Sequence, residues 1–127
     1  QCLDGMTGLL NQKSFSNYLE AKENEEKKCT IIIMDVNDFK YINDNYGHEF
    51  GDKILIEISK IIKETYQKYG KCYRMGGDEF AVIMQAGLDN VELINKHFIS
   101  ALEVSRIEIK ELPHVSWGYS EYIPKNK

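Results

Sequence analysis

Thr30-Ile31-Ile32-Ile33-Met34 is an unbroken apolar run that stops abruptly at Asp35. Lacking polar alternation, residues 30–35 are expected to form a central strand covered on both faces. Two further β-prone runs, 71–75 and 80–84, flank Gly76-Gly77 and predict a hairpin, with both glycines free to take φ > 0 in the turn. Between and around these runs the period lengthens to that of helices. Asn11 is a suitable N-cap for a helix over 12–28, in which Phe15, Tyr18 and Leu19 share a face and the stretch from Glu20 is almost wholly polar. Residues 38–45 predict a short helix. Gly47-His48 breaks the chain before a longer helix over 50–67, striped by Ile54, Ile58, Ile61 and Ile62. Lys53–Glu57 and Lys60–Glu64 stand opposite that stripe at i,i+4 spacing, where such pairs contribute about 0.2–0.5 kcal/mol each. Asp89-Asn90-Val91-Glu92 resembles a capping box and opens a helix to about residue 104, with Val91, Ile94, Phe98 and Leu102 inward. Residues 106–111 alternate weakly and predict a short edge strand; 115–119 predict a strand after Pro113. The order is one helix followed by β-α-β-β-α-β. This is an α+β, ferredoxin-like arrangement with helices on one side of a central antiparallel sheet.

Composition narrows the class. At 127 residues, 43% hydrophobic and 28% charged, the chain suits one domain with a real core. A net charge of −4 supplies no basic face for nucleic acid. No apolar run approaches the roughly 20 residues of a membrane helix, and no signal peptide is visible, so no membrane contact by this domain is expected. Cys2, Cys29 and Cys72 are odd in number and widely spaced, which fits neither a zinc site nor a disulfide framework. A reducing, cytoplasmic setting is the expectation. The chain opens on Gln1 rather than Met, as a piece of a longer protein would.

The candidate chemistry lies where strands end. Asp35 closes the first strand, and Asp78 and Glu79 directly follow the glycine pair. An acid at the carboxyl end of a buried strand sits where open α/β sheets keep their ligand crevice. Carboxylates converging from separate strands suit Mg2+, which takes one or two of them and completes its shell with water and phosphate. Blander readings stand beside this one. Asp35 could merely cap the following helix, and Asp78 and Glu79 could be solubilising charges at a hairpin tip.

At these residues the sequence resembles the GGDEF-domain family, the diguanylate cyclases. The resemblance rests on Gly76-Gly77-Asp78-Glu79-Phe80 with Arg74 before it. It also rests on Asp35-x-x-x-Phe39-Lys40-x-x-Asn43-Asp44-x-x-Gly47-His48-x-x-Gly51-Asp52, and on Asp4-x-x-Thr7-Gly8-Leu9-x-Asn11. Three motifs in order, from Asp4 to about Tyr122, form a specific signal. The resemblance implies a palm-like fold and condensation of two GTP into cyclic di-GMP with release of pyrophosphate, in bacterial second-messenger signalling. It implies Mg2+, with Mn2+ as an alternative, held by Asp35, Asp78 and the backbone carbonyl of Val36. Asp78 takes the family's proton-acceptor role, although a metal-bound aspartate is a poor base and direct metal activation of the 3′-hydroxyl is an equal alternative. Glu79 either helps hold a second ion or is structural. Lys40 resembles the transition-state stabiliser, whereas a helical lysine considered alone is usually solvent-facing. The amides of Asp38 and Phe39 open a helix and offer a phosphate site. Asn43, His48 and Asp52 match the substrate contacts. A carboxylate accepts both guanine N1–H and the exocyclic amine, and adenine would leave it facing an acceptor, so Asp52 is expected to read the base. Its alternative is an acid favouring a helix N-terminus, and His48 could equally be a turn residue.

Departures qualify that picture. Where many relatives carry the Arg-x-x-Asp of an inhibitory product site, this chain has Gln67-Lys68-Tyr69-Gly70. Gln12 stands where relatives usually have arginine. The chain stops at Lys127, before the family's C-terminal helix, so residues 1–127 are expected to be one C-terminally truncated domain. A homodimer needed for activity and a sensory or receiver domain in the parent chain are the expected partners. The alternative function is a catalytically silent module that binds GTP or cyclic di-GMP.

Overall fold

A computed structural model describes residues 2–85 and 90–125. Its elements, in chain order, are α1 (Gln12–Glu25), β1 (Cys29–Val36), α2 (Phe39–Tyr46), α3 (His48–Tyr66), β2 (Gly70–Gly76), β3 (Glu79–Met84), α4 (Val91–Glu108) and β4 (Val115–Tyr122). One antiparallel sheet runs in the order β2-β3-β1-β4, so the 30–35 strand is central as expected. β1 and β2 each oppose β3 and are therefore parallel to one another, with α2 and α3 crossing between them.

The principal core fills one face of the sheet. Ile32, Met34 and Val36 of β1, with Phe80, Val82 and Met84 of β3, meet Ile54, Ile58 and Ile62 of α3 and Val91, Ile94, Phe98 and Leu102 of α4. Each fully buried large side chain here contributes roughly 1.5–3 kcal/mol. The Tyr66 hydroxyl donates to Asn95 Oδ1 at 2.7 Å within this core, so its burial leaves no unmade bond.

Several sequence expectations need correction. The helices do not all lie on one side, because α1 packs on the opposite face. There Phe15, Tyr18 and Leu19 meet Tyr73, Ala81, Ile83 and Cys29. α1 leaves much of that face uncovered, and Ile33 of β1 is 48% exposed, so the strand is not covered on both sides. α1 ends at Glu25, where Glu26 turns left-handed (φ 56°) and its amide donates to Glu23 and Lys22 carbonyls, rather than continuing to 28. Its Asn11 cap is as expected, with the side chain accepting from the Ser14 amide at 3.0 Å. α3 begins at His48, because Gly47 alone (φ 90°) suffices to break the chain.

No strand occupies 106–111. α4 runs through Glu108, and Arg106 folds over its end to donate to the carbonyls of Leu112 and Pro113 at 2.7 and 3.0 Å. Asp89 of the expected capping box lies outside the described residues, and Asn90 makes no side-chain capping bond. Neither i,i+4 ion pair of α3 forms among the described residues; Glu57 instead accepts from Ser105 Oγ at 2.7 Å, joining α3 to α4.

Candidate active site

The β2–β3 turn falls one residue later than the glycine pair suggests. Gly76 still pairs with Glu79, and the turn residues are Gly77 (φ 46°) and Asp78. Asp78 therefore belongs to the turn itself rather than to the start of a strand. A register shift between Arg74 and Gly76 bends β2 just before it. The main chain then locks the turn to the central strand, the Val36 amide donating to the Asp78 carbonyl at 3.0 Å.

This arrangement brings the acids together. Asp35 is the direct cross-strand partner of Glu79, and directly opposed residues project to the same face. The Asp35 and Asp78 carboxyl groups lie against each other. Burial, then the charge of Asp78 and a hydrogen bond shared with it, hold the Asp35 pKa above the usual carboxylate value. Two like charges pressed together at a strand end would be relieved by a cation. The donors are all hard oxygens, which suits Mg2+ better than a soft metal. Among the described residues no three His, Cys, Asp or Glu side chains lie within reach of one ion. Asp35 and Asp78 are therefore a two-carboxylate site that a carbonyl such as that of Val36 would have to complete, and Glu79 stands beside it, exposed.

The start of α2 adjoins this pair. Asp38 takes the left-handed region (φ 57°, ψ 28°), which aspartate tolerates better than most residues but at a cost of order 1–2 kcal/mol. Its side chain makes no capping bond. The amides of Asp38, Phe39 and Lys40 have no backbone acceptor among the described residues, so the helix presents unpaired donors beside two carboxylates. The Phe39 ring packs partly into the main core, so that residue offers only its amide. Asn37 is fixed by its amide, which donates to His114, and by its Oδ1, which accepts from Ser116.

Lys40 does not join the acids in this conformation. Its ammonium lies 2.8 Å from Asp44 Oδ2 on the outside of α2, with the side chain 89% exposed. The Asn43 side chain reaches the start of α3 at Gly51. Gly51 makes this close approach feasible, since a Cβ there would sit 1.9 Å from Asn43 Oδ1. The Asn43 carboxamide therefore rests on the first turn of α3, one residue from exposed Asp52. Neither side chain has a polar partner among the described residues. His48 is the exposed first residue of α3.

Two elements of the site stand in the sequence motifs, but the sequence alone gives them no structural role. Asp4 accepts from the Thr7 amide and hydroxyl at 2.9 and 2.8 Å and from Arg74 Nη1 at 3.2 Å. Arg74 also donates through Nε and Nη2 to the Gly77 carbonyl at 3.1 and 2.8 Å. One guanidinium thus ties the N-terminal loop to the turn that holds Asp78. The loop itself is laid along the edge of β2 by Leu10 N–H to Cys72 and Arg74 N–H to Leu10. Gly51 is the second such element. A Cβ on Gly70 would meet the Ile83 carbonyl at 2.1 Å, so this backbone accepts only glycine there.

Comparison with known proteins bears on the family and the fold. The family described as "Diguanylate cyclase, GGDEF domain" matches residues 1–127. Diguanylate cyclase DgcS of Shewanella oneidensis is 34% identical over 102 residues, 77% of this chain and 34% of the relative. Diguanylate cyclase DgcN of Escherichia coli is 42% identical over 84 residues, 64% of this chain and 21% of the relative. The chain thus spans about a third or less of these relatives' length. Among solved structures, diguanylate cyclase SiaD from Pseudomonas aeruginosa, in complex with its activator SiaC, superposes with a TM-score of 0.85 at 23% identity, over 98% of this chain and 51% of that one. The coiled coil and GGDEF domain of DgcB from Caulobacter crescentus, in complex with c-di-GMP, gives 0.83 at 23% identity, over 96% and 70%. At that identity both superpositions establish the fold.

Proposed function

The chain belongs to the GGDEF domain family of diguanylate cyclases, and from that premise we propose that it is a catalytic unit condensing two GTP into cyclic di-GMP. The observation that carries this reading is the juxtaposition of Asp35 and Asp78 beside the unpaired amides of α2. Asp35, Asp78 and the Val36 carbonyl would hold Mg2+ or Mn2+. When bound, the ion neutralises phosphate charge and lowers the barrier to deprotonating the 3′-hydroxyl.

The amides at the start of α2 bind the phosphates as the positive end of a helix does. Asn43 and Asp52 receive guanine, the carboxylate accepting its two adjacent donors. Arg74 keeps the Asp78 turn in register with β1 through Gly77. Because each 3′-oxygen attacks the other nucleotide's α-phosphorus, two sites must face one another across a two-fold axis, which is an isologous dimer. Sensory or receiver domains of the parent protein would regulate that pairing from outside this domain, in the cytoplasm.

A second reading, a GTP-binding module without turnover, draws support from Lys40. Its pairing with Asp44 must break before the ammonium can approach phosphate. Incubating the chain with GTP and Mg2+ and identifying products by mass separates the two. Cyclic di-GMP supports the enzyme, whereas GTP bound and recovered intact supports the module.

A further inference from the structure

Asp35 stands in a row of three residues that crosses the sheet. Its cross-strand partners are Glu79 on β3 and Ser116 on β4, so the three side chains project to one face. The two acids belong to the site described above, and Ser116 has no part in it yet. Its hydroxyl is nevertheless committed, Oγ donating to Asn37 Oδ1 at 2.7 Å. The Asn37 amide is held from the same direction, donating to the His114 carbonyl at 2.9 Å just before β4. The entry into β4 therefore grips Asn37 by both its main chain and its side chain.

Asn37 occupies a sensitive position. It lies between Val36, whose amide is bonded to the Asp78 carbonyl, and Asp38, whose backbone is left-handed at φ 57°. That conformation is unfavourable for a residue with a Cβ and persists only where the surroundings hold it. On the far side α2 is anchored by buried Ile42 and by the Phe39 ring against the core. On the near side the anchors are the Val36–Asp78 and Asn37–His114 main-chain bonds and the Ser116 hydroxyl. The Asp38 N–H shares a rigid peptide plane with the Asn37 carbonyl, so fixing Asn37 fixes where that donor points.

We propose that Ser116 is a positioning residue for the nucleotide's phosphates. Through Asn37 it holds the β1–α2 loop so that the amides of Asp38 and Phe39 face the ligand. This role rests on the nucleotide reading above and adds to it a residue 79 positions along the chain from the one it steadies. Ser116 itself touches neither substrate nor ion in this arrangement.

The test compares wild type with Ser116→Ala, which loses the hydroxyl, and Ser116→Thr, which keeps it. Ser116 is exposed, so neither replacement opens a hole in the core. Hydrogen exchange of the ligand-free chain, followed by NMR, should show the Asn37 amide exchanging about two- to tenfold faster in Ser116→Ala, with the amides of β3 unchanged. Calorimetric titration with GTP and Mg2+, well below the melting temperature, should show GTP bound more weakly by a factor of about two to ten in the same variant. Ser116→Thr should match wild type in both readouts. Unchanged exchange at Asn37 would overturn the proposal, because the hydroxyl would then hold nothing. Faster exchange with unchanged GTP affinity would overturn it as well and leave Ser116 a purely structural residue. So would Ser116→Thr losing as much as Ser116→Ala. All three results leave the nucleotide reading standing as long as wild type binds GTP. A wild type that binds no GTP would remove that reading and this proposal together.

Discussion

Arg74→Lys keeps the charge and removes the fork, and it isolates the contact that fastens the Asp78 turn. Three guanidinium nitrogens serve two acceptors, Asp4 and the Gly77 carbonyl, and the Arg74 and Asp4 side chains are only 17% and 22% exposed. An ammonium can satisfy one of these acceptors but not both in the same geometry. Losing one charge-assisted connection in this setting costs roughly 1–2 kcal/mol. For a domain of this size that lowers the melting temperature by roughly 3–10 °C. Differential scanning calorimetry on wild type, Arg74→Lys, Asp4→Asn and the double variant gives the coupling directly, expected at about 0.5–1.5 kcal/mol.

The pH dependence supplies a second signature. Burial acts to raise the Asp4 pKa, but the Thr7 and Arg74 hydrogen bonds outweigh it and leave it below its ordinary value. The stabilisation is therefore present above pH of about 4 and is lost as pH falls through the lowered folded-state value. The gap between wild type and Arg74→Lys should accordingly shrink on acidification from about pH 5 to 3. A melting temperature within 1 °C of wild type at pH 7, or a gap that widens in acid, would refute the reasoning.

Asp35→Asn should stabilise the metal-free chain by about 0.2–1 kcal/mol, a modest figure because the group is exposed and screened. Its raised pKa means that wild type is favoured below the ordinary aspartate value and loses that advantage as pH rises through the folded one, so the variant's gain should appear near neutrality and vanish near pH 3. The same variant should lose any Mg2+-dependent rise in melting temperature, and an unchanged rise would remove Asp35 from the ion site. Gly51→Ala should displace Asn43 and raise KM for GTP with less effect on kcat; a KM equal to wild type would show that the carboxamide does not contact substrate. Asp52→Ser should admit ATP as a visible competitor, since losing one such polar match costs about 1–3 kcal/mol, and strict exclusion of ATP by the variant would place base reading elsewhere.

The strand, the hairpin and the alternation of elements were legible because each has a local cause. A run of β-branched residues ends in an acid, a glycine pair separates two apolar runs, and isoleucines recur at helical spacing. The errors arose where local pattern leaves two solutions. Gly-Gly can fill the turn or can end the strand and begin the turn, and only the Gly76–Glu79 pairing decides. Residues 106–111 alternate as a strand would, yet Ile107 is 75% exposed while Ile109 packs on the core, the outcome of a helix ending rather than of a pleat. The Asp4–Arg74 link spans 70 positions, so no window of sequence contains it. The Lys40–Asp44 pairing is a local i,i+4 contact on the exposed side of α2, which the family motif does not specify.

The central claim is that Asp35 and Asp78 form a working site that turns over only when two copies face one another. It is tested most directly by measuring cyclic di-GMP formation from GTP and Mg2+ across a range of chain concentrations, for wild type and Asp78→Ala side by side. The account predicts product from wild type, with activity per chain rising as concentration rises, and none from Asp78→Ala despite an intact fold. Asp78→Ala turnover within a fewfold of wild type, or wild-type activity per chain independent of concentration, would contradict it.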